Sequence, residues 1–484
     1  MPLFIAAFIG GALAAFGFAF AFSPLAVLGG IAGLTYATVT FLRPRWGLSA
    51  ALLAQLIVPL YIGLPLVPFL PAFPASLIVL MVTAAMIFVR TSPVLPVRLH
   101  TVTIAFAAYG AALALSIILS GAPTSTFNPF VRCFAIPFTA YIMTRCLVRS
   151  PADAILPLNT LLFGAVIASL YGVVEFGIGW NPLIETFTDE DLGDLDYWNQ
   201  SPSRASAGIY RSFSFEMNPL FFATVTSMLL PYAVARFGVA ESWKGKIAFG
   251  AAACICVAGI VTTFSRGALL SIALSMIGLA VMLPRVRYTV GVLLVLGVLS
   301  GLAALPWLGP AIWERFTDSD NVSLRFKLWQ IAFHMFLDNP FTGVGLNGFA
   351  HHQLAVLRTY EIGPFPEYSG GELEKLGTAD NTFVQLAAET GVAGLAAFVA
   401  LFSAAAVSLA RNLKRRHSMS RVIAGSIAAA VIAYLINGLT INGYTAYAPT
   451  IILSILLAII ASIDTGAETA YPPRSYHAGP AVGS

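Results

Sequence analysis

The chain alternates between long apolar runs and short polar or Pro/Gly-rich breaks. A helix needs ~20 mostly apolar residues to cross the hydrocarbon layer. Fourteen runs approach that length, near 3–22, 24–42, 47–67, 73–89, 101–120, 131–148, 155–178, 219–236, 247–264, 267–283, 289–308, 382–410, 422–441 and 447–463. The third and fourth are interrupted by prolines. The pattern predicts an all-α fold: a polytopic transmembrane helical bundle of about 12–14 helices. It forms one integral membrane domain over 1–464, followed by a tail at 465–484. The tail, rich in Pro, Gly and Ser, predicts disorder. The opening run "MPLFIAAFIGGALAAFGFAFAF" lacks the basic n-region of a signal peptide and reads as a first membrane helix.

Composition sharpens this picture. Hydrophobic residues make up 58% of the 484 positions and charged residues 10%, against about 25% charged in soluble domains. The net charge of +4 is not a nucleic-acid footprint, because the charges are sorted by side. With the N-terminus in the cytoplasm, most of the 26 Lys and Arg residues fall inside, including Arg43, Arg45, Arg90, Arg145, Arg149, Arg236, Lys244, Arg285, Arg411, Arg415 and Arg421. The positive-inside rule then sets both termini in the cytoplasm. Two long loops, about 179–218 and 309–381, face outward and carry most of the acids. The four cysteines, Cys133, Cys146, Cys254 and Cys256, lie in apolar segments and form no disulfide or metal framework.

Polar chemistry concentrates at the outward face. In "LGTADNTFVQLAAETGVAGLAAFVALF" a helix starting near Thr378 places Asn381, Gln385 and Glu389 on one stripe, with Ala387, Gly391 and Gly394 on a separate small-residue face. Glu389 falls nine residues past Asp380, roughly 13 Å deeper. A carboxylate at such depth faces a polar cavity or a hydrogen-bonding partner. Asp380 opens the helix, where the dipole favours the charged carboxylate and lowers its pKa.

Three arginines share the same side against the positive-inside trend. Arg211 lies in "YRSFSFEMNP", just before an Asn218-Pro219 helix start. Arg266 lies in the short turn of "TTFSRGALLS". Arg325 lies in "NVSLRFKLWQIAFHMFLDNP", where Phe326, Trp329, Phe333 and Phe336 share one helical face suited to the membrane interface. The planar guanidinium fork matches a diphosphate. Headgroup contact or a structural ion pair is the plainer role of any one of them. Arg132, in a short outward turn, is a fourth candidate.

Glycines 343, 345 and 348 in "FTGVGLNGFAHHQ" predict a tight turn able to cradle an anion. No strand precedes them, so a dinucleotide site is excluded. His351 and His352 are adjacent and point apart on a helix, and no second pair gives metal spacing. Trp180, Tyr197, Trp198, Tyr360 and Tyr368 are candidate stacking surfaces for sugars.

Over roughly 205–400 the chain resembles the O-antigen ligase and polymerase family of bacterial membrane glycan transferases. The resemblance rests on "SFEMNP", "TFSRGALLS", "RFKLWQIAFHMFLDNPFTGVGLNGF" and "DNTFVQLAAETGVAG", in that order. It implies a C-type glycosyltransferase membrane fold with a periplasmic site in the inner membrane. The implied donor is a glycan on undecaprenyl diphosphate, used without a metal or other cofactor. The implied acceptor is a glycan or lipid A core, and polysaccharide export or chain-length proteins are implied partners beside the membrane lipids. Where the family's ligases carry His, then Asn, Ser or Gln, then nine residues and Gly-x-x-Gly, this chain has Asp380, Asn381, Gly391 and Gly394. Asp380 thus stands at the position of the ligase base. Arg211, Arg266 and Arg325 would hold the diphosphate. Asn381, Gln385, Glu389, His351 and His352 would support the site.

The exchange of His for Asp points from a ligase toward a polymerase of surface-polysaccharide repeat units. A flippase or transporter is the rival from another class, but no internal repeat is visible and the polar residues cluster outside rather than at mid-membrane. The charge sorting makes a direct prediction. Topology reporters inserted within 185–200 or 360–375 should read non-cytoplasmic, and one at 412–418 cytoplasmic; cytoplasmic signals from both long loops would remove the outward site.

Overall fold

The computed structural model describes residues 24–59, 63–64, 73–91, 100–119, 129–187, 210–295 with 297 and 299, 319–362, 377–415 and 418–466. The predicted segment 3–22, the latter part of 289–308, and the tail beyond residue 466 lie outside the described residues. So do 188–209, 309–318 and 363–376 of the two long loops, with Tyr197, Trp198 and Tyr368.

Within the described residues the fold is an all-α bundle. The helices are α1 (Pro24–Leu42), α2 (Pro44–Ile57), α3 (Ala75–Thr91), α4 (Thr101–Leu119), α5 (Ile136–Leu147), α6 (Pro151–Ile178), α7 (Pro182–Phe187), α8 (Pro219–Val239), α9 (Trp243–Val261), α10 (Arg266–Met282), α11 (Ser319–Asp338), α12 (Phe349–Thr359), α13 (Thr382–Leu413), α14 (Ser418–Asn437) and α15 (Tyr447–Gly466). A two-residue antiparallel pair, Gly63–Leu64 with Phe73–Pro74, bridges α2 and α3. Seven helices, α4, α6, α8, α9, α13, α14 and α15, are long and apolar enough to cross a membrane. Shorter apolar helices lie at Ala32–Leu42, Ala75–Arg90 and Arg266–Met282.

Local chemistry sets the boundaries. Ser150, Asn218, Ser242, Ser265 and Asn381 each cap a helix by accepting a backbone N–H. Gly179, at φ 86°, ends α6 in the left-handed conformation. The run predicted over 47–67 stops at Ile57, because Pro59 forces Val58 into extended backbone. Apolar side chains such as Ile118, Phe163 and Val281 stay exposed on the outer surface, as a lipid-facing wall requires. The core runs from Leu48 to Ile463, and α15 is buried on nearly every side against α5, α13 and α14. A smaller cluster, Leu328, Ile331, Ala332, Met335 and Phe349, joins α11 and α12 to the start of α13.

The two ends of the bundle differ. At one end Asp464 accepts from Ser408 and pairs with Arg415 at 3.2 Å, His100 at 3.1 Å and Arg411 at 3.6 Å, while Arg45 pairs with Asp153 at 2.7 Å. At the other end α8, α10, α13 and α15 begin, and α6, α9 and α14 finish.

Helix α13 starts where the pattern predicts but breaks at Gly391, with φ 62° and ψ −162°. Gly391 therefore marks a kink, at which the 341–342 backbone packs closely. Residues 392–413 alone span about 33 Å at the helical rise, enough for the ~30 Å hydrocarbon layer. The piece before the kink carries Asn381, Gln385 and Glu389 at the mouth of this span. A Cβ at Gly391 would lie 2.4 Å from the Phe341 carbonyl carbon, and its backbone conformation is essentially restricted to glycine. Gly391→Ala should cost about 3 kcal/mol or more, read as a lower thermal midpoint in detergent; an unshifted midpoint would place the kink elsewhere.

Candidate active site

The head of α13 brings two predicted groups together. Asn381, not Asp380, is the cap: its Oδ1 accepts from Phe383 N at 3.0 Å and Val384 N at 3.2 Å. Asp380 precedes it at φ 49° and accepts from Thr378 Oγ1 at 3.0 Å. Its Oδ2 lies 3.8 Å from Arg325 Nη2, and 39% of its side-chain surface stays open to a ligand. Trp329 Nε1 donates to Ala379 O at 3.0 Å, which seats α11 beside this turn. Burial pushes the Asp380 carboxyl above its ordinary range, against the pull of Arg325 and of Thr378. This reverses the lowering expected from the helix dipole. Asp380 sits outside the first helical turn, where the dipole is weak, and partial desolvation wins.

The other two arginines reach the same end of the bundle through backbone turns. Arg211 is buried in the segment before α8, and its Nε donates to Thr263 O at 2.8 Å in the α9–α10 turn. Arg266 is the first residue of α10. A Cβ on its neighbour Gly267 would lie 2.3 Å from Thr440 Oγ1. The turn carrying Thr440 in turn holds α13: Thr382 N donates to Gly438 O at 2.7 Å, Asn381 Nδ2 to Leu439 O at 3.3 Å, and Thr382 Oγ1 to Ile441 O at 2.9 Å. The 438–443 turn thus connects the start of α10 to the start of α13. Arg132 belongs to this end too, its guanidinium 5.3 Å from the ring centre of Tyr447 at the start of α15.

Glu389 is fully buried and fully used. Its carboxylate accepts from Gln385 Nε2 at 2.9 Å, Asn347 N at 2.7 Å, Phe349 N at 3.3 Å and the Tyr444 hydroxyl. Gln385 Oε1 accepts from Ala379 N at 2.8 Å, carrying the network back to Asp380. The glycine turn does cradle an anion, and that anion is Glu389. His351 and His352 are exposed in the first turn of α12, just past this cradle. Tyr360 donates to Asp338 and stacks on His334.

Sequence reasoning missed three elements of the site. The membrane run predicted over 422–441 takes in the first four residues of the 438–443 turn and leaves Tyr444 in the gap before 447–463, although "NGLTINGY" holds two Asn-Gly pairs. Glu175 was hidden as one acid inside an apolar run. It is buried on α6 and accepts from Tyr210 OH at 2.7 Å, Phe213 N at 3.0 Å and Ser214 N at 2.7 Å.

An all-α membrane bundle with arginines and a half-open carboxylate gathered at one end is suited to an anionic, lipid-borne substrate. Residues 251–399 match a family model described as O-antigen ligase. The matched stretch holds Arg266, Arg325, His351, His352 and all of the α13 head, whereas Arg211 and the 438–443 turn lie outside it. A search of curated proteins finds no match for the chain.

The raised Asp380 carboxyl gives a pH prediction. If it accepts a proton in its charged form, activity is lost as pH falls through a midpoint above the usual carboxylate range. Arg325→Ala removes a group that holds this midpoint down, so the acid limb of glycan transfer should move to higher pH. A limb that stays in place or moves down in Arg325→Ala would assign it to another group.

Proposed function

We propose that the protein is a polymerase of lipid-linked repeat units for a surface polysaccharide, acting at the outer face of the bacterial inner membrane. The observation that carries this reading is the Asp380–Arg325 pair, 3.8 Å apart at the mouth of α13, at the end of the bundle that also holds Arg211 and Arg266. Its Asp where related ligases carry His favours polymerisation over ligation. Both termini lie in the cytoplasm with the basic end of the bundle, and the tail from 465 stays there. The donor is a repeat unit on undecaprenyl diphosphate, the acceptor a growing glycan, and the export and chain-length machinery receives the product.

The acceptor hydroxyl attacks the anomeric carbon of the donor. The bond from that carbon to the diphosphate oxygen breaks with inversion, and the hydroxyl proton passes to Asp380. Arg211, Arg266 and Arg325 offset the charge that develops on the leaving diphosphate. Helices α8, α10, α13 and α15 begin at this end, and their N-terminal dipoles favour the same anion. Arg325 lies too far from Asp380 for a tight salt bridge, so it orients the carboxylate without saturating it. Asn381, Gln385 and Glu389 hold the turn from beneath. The chemistry needs no metal, since fixed cations supply the electrostatic stabilisation.

Lipid-linked sugars extracted from a deletion strain test the reading. Single repeat units identify a polymerase, long unligated chains a ligase, and accumulation on the cytoplasmic leaflet a flippase. In the complemented strain Asp380→Asn should lower turnover by about two to four powers of ten, the range for loss of a general base. Asp380→His should restore part of it. Lys at positions 211, 266 and 325 should rescue poorly, because a point charge lacks the bidentate fork; normal polymer from all three Lys variants would move diphosphate recognition elsewhere.

A further inference from the structure

Helix α11 is pinned beside the head of α13 at both ends. Near its start, Arg325 Nη2 lies 3.8 Å from Asp380 Oδ2, and Trp329 Nε1 donates to Ala379 O at 3.0 Å. Just past its end, Pro340 O accepts from Val392 N at 2.8 Å and Phe341 O from Ala393 N at 3.3 Å. It therefore runs from the Asp380 turn to the point where the membrane-spanning piece of α13 begins. Val392 follows Asp380 by twelve residues, a rise of roughly 18 Å along a helix.

One face of α11 closes on the protein and the other is bare. Leu328, Ile331, Ala332 and Met335 are buried in one cluster with Phe349 of α12 and with Ala379 and Ala388 at the head of α13. Phe326, Phe333 and Leu337 are 57%, 55% and 52% exposed, and Phe341, just beyond the helix, is 78% exposed. Spacings of seven and four place the first three on one stripe, with the exposed Gln330 between them. The stripe continues into the wall of α13, where Val392 and Val399 are exposed, so its lower end opens onto lipid. The headgroup region adds only about 5–7 Å per leaflet beyond the hydrocarbon, less than the length of the stripe. Contiguous exposed apolar surface of this kind marks a contact site. At the upper end Phe326 directly follows Arg325. A cation at the top and an apolar track leading down to the bilayer complement one kind of molecule, an amphiphile with an anionic head and a long hydrocarbon chain.

We infer that this stripe is the docking track for the polyprenyl chain of the lipid-linked donor. Arg325 meets the diphosphate, and the chain lies along Phe326, Phe333 and Leu337 to reach the bilayer beside Phe341. The inference rests on the glycan-transfer reading above, which supplies the lipid diphosphate. An isoprenoid chain suits a phenylalanine stripe, because both sides gain by leaving water and neither brings a polar group that would be left unpaired. The track sets how the donor is held and by which path it rises from the bilayer. It takes no part in the bond that breaks.

Full-length protein in phospholipid nanodiscs carries the test, with undecaprenyl diphosphate as probe and dimethylallyl diphosphate as control. The control presents the same head on a chain too short to pass Phe326. Phe333→Ser and Leu337→Ser change exposed side chains, so the thermal midpoint should match wild type. Each should weaken undecaprenyl diphosphate binding about tenfold and leave binding of the control unchanged, whereas Arg325→Ala should weaken both. Wild-type affinity for undecaprenyl diphosphate in the two Ser variants overturns the inference. Contact is read independently with photoreactive benzoylphenylalanine in place of Phe333. On irradiation it should capture phospholipid in the absence of undecaprenyl diphosphate and the polyprenyl chain in its presence. Phospholipid capture that the added probe does not displace overturns the inference and assigns the stripe to the bilayer alone. Glycan transfer is scored separately, as diphosphate release from the lipid-linked repeat unit of the deletion strain. Wild-type protein that captures the chain but releases no diphosphate sinks the transfer reading and leaves the track as a binding surface for a polyprenyl lipid.

Discussion

Polar backbone cannot be left bare where a membrane helix breaks, and α13 breaks at Gly391. The groups freed by the kink are taken up by one segment. Val344 N donates to Ala388 O at 2.9 Å and Gly345 N to Glu389 O at 3.0 Å; in return Val392 N donates to Pro340 O at 2.8 Å and Ala393 N to Phe341 O at 3.3 Å. Ser116 Oγ on α4 adds a 2.7 Å bond to Glu389 O. This exchange requires backbone to lie on backbone, which is why Gly343 and Gly391 face it without side chains; a Cβ on Gly343 would lie 2.2 Å from the Glu389 carbonyl carbon. The arrangement at the mouth of α13 follows from it. The exchange fixes the 340–349 segment, that segment starts α12, and the Glu389 carboxylate closes over its N–H groups.

The same exchange decides where charge sits. With the membrane span carried by residues 392–413, the first piece of α13 is free to end among polar groups rather than lipid. Its start is tied to the 438–443 turn and through it to the start of α10, so the positive ends of two helices are held side by side. Arg266 and Arg325 then stand where cations would otherwise be unfavourable. At the far end the arginines meet Asp464 and Asp153, ordinary partners for a basic surface.

Much of the bundle was legible because its signals are local. Apolar length, Ser and Asn caps, and prolines at first turns marked most helix starts within a few residues. The Asp380, Asn381, Gln385, Glu389 spacing was legible for the same reason, and so was the glycine turn. What could not be read was anything that depends on a distant partner. The kink at Gly391 exists because 340–345 docks there, and a lone glycine in an apolar run looks the same with or without that partner. The upward shift of Asp380 depends on how α11 and the Ala379 turn pack around it, which no helix-dipole argument contains. The role of Glu175 required knowing that 213–214, almost forty residues away, would fold back onto it.

The carboxylates at this end of the bundle differ in how fully their oxygens are hydrogen-bonded. Glu175 clamps the Arg211 segment onto α6, and Glu389 clamps the 347–349 segment onto α13. Each uses two backbone N–H groups and one tyrosine, a full complement that leaves neither oxygen for a substrate. Asp380 accepts from Thr378 Oγ1 and lies 3.8 Å from Arg325, and the Glu216 carboxyl leaves one buried oxygen without a partner. Satisfied acids spend their hydrogen-bonding capacity on position. Burial lifts the pKa of both Asp380 and Glu216, and at Asp380 the neighbouring Arg325 opposes the shift.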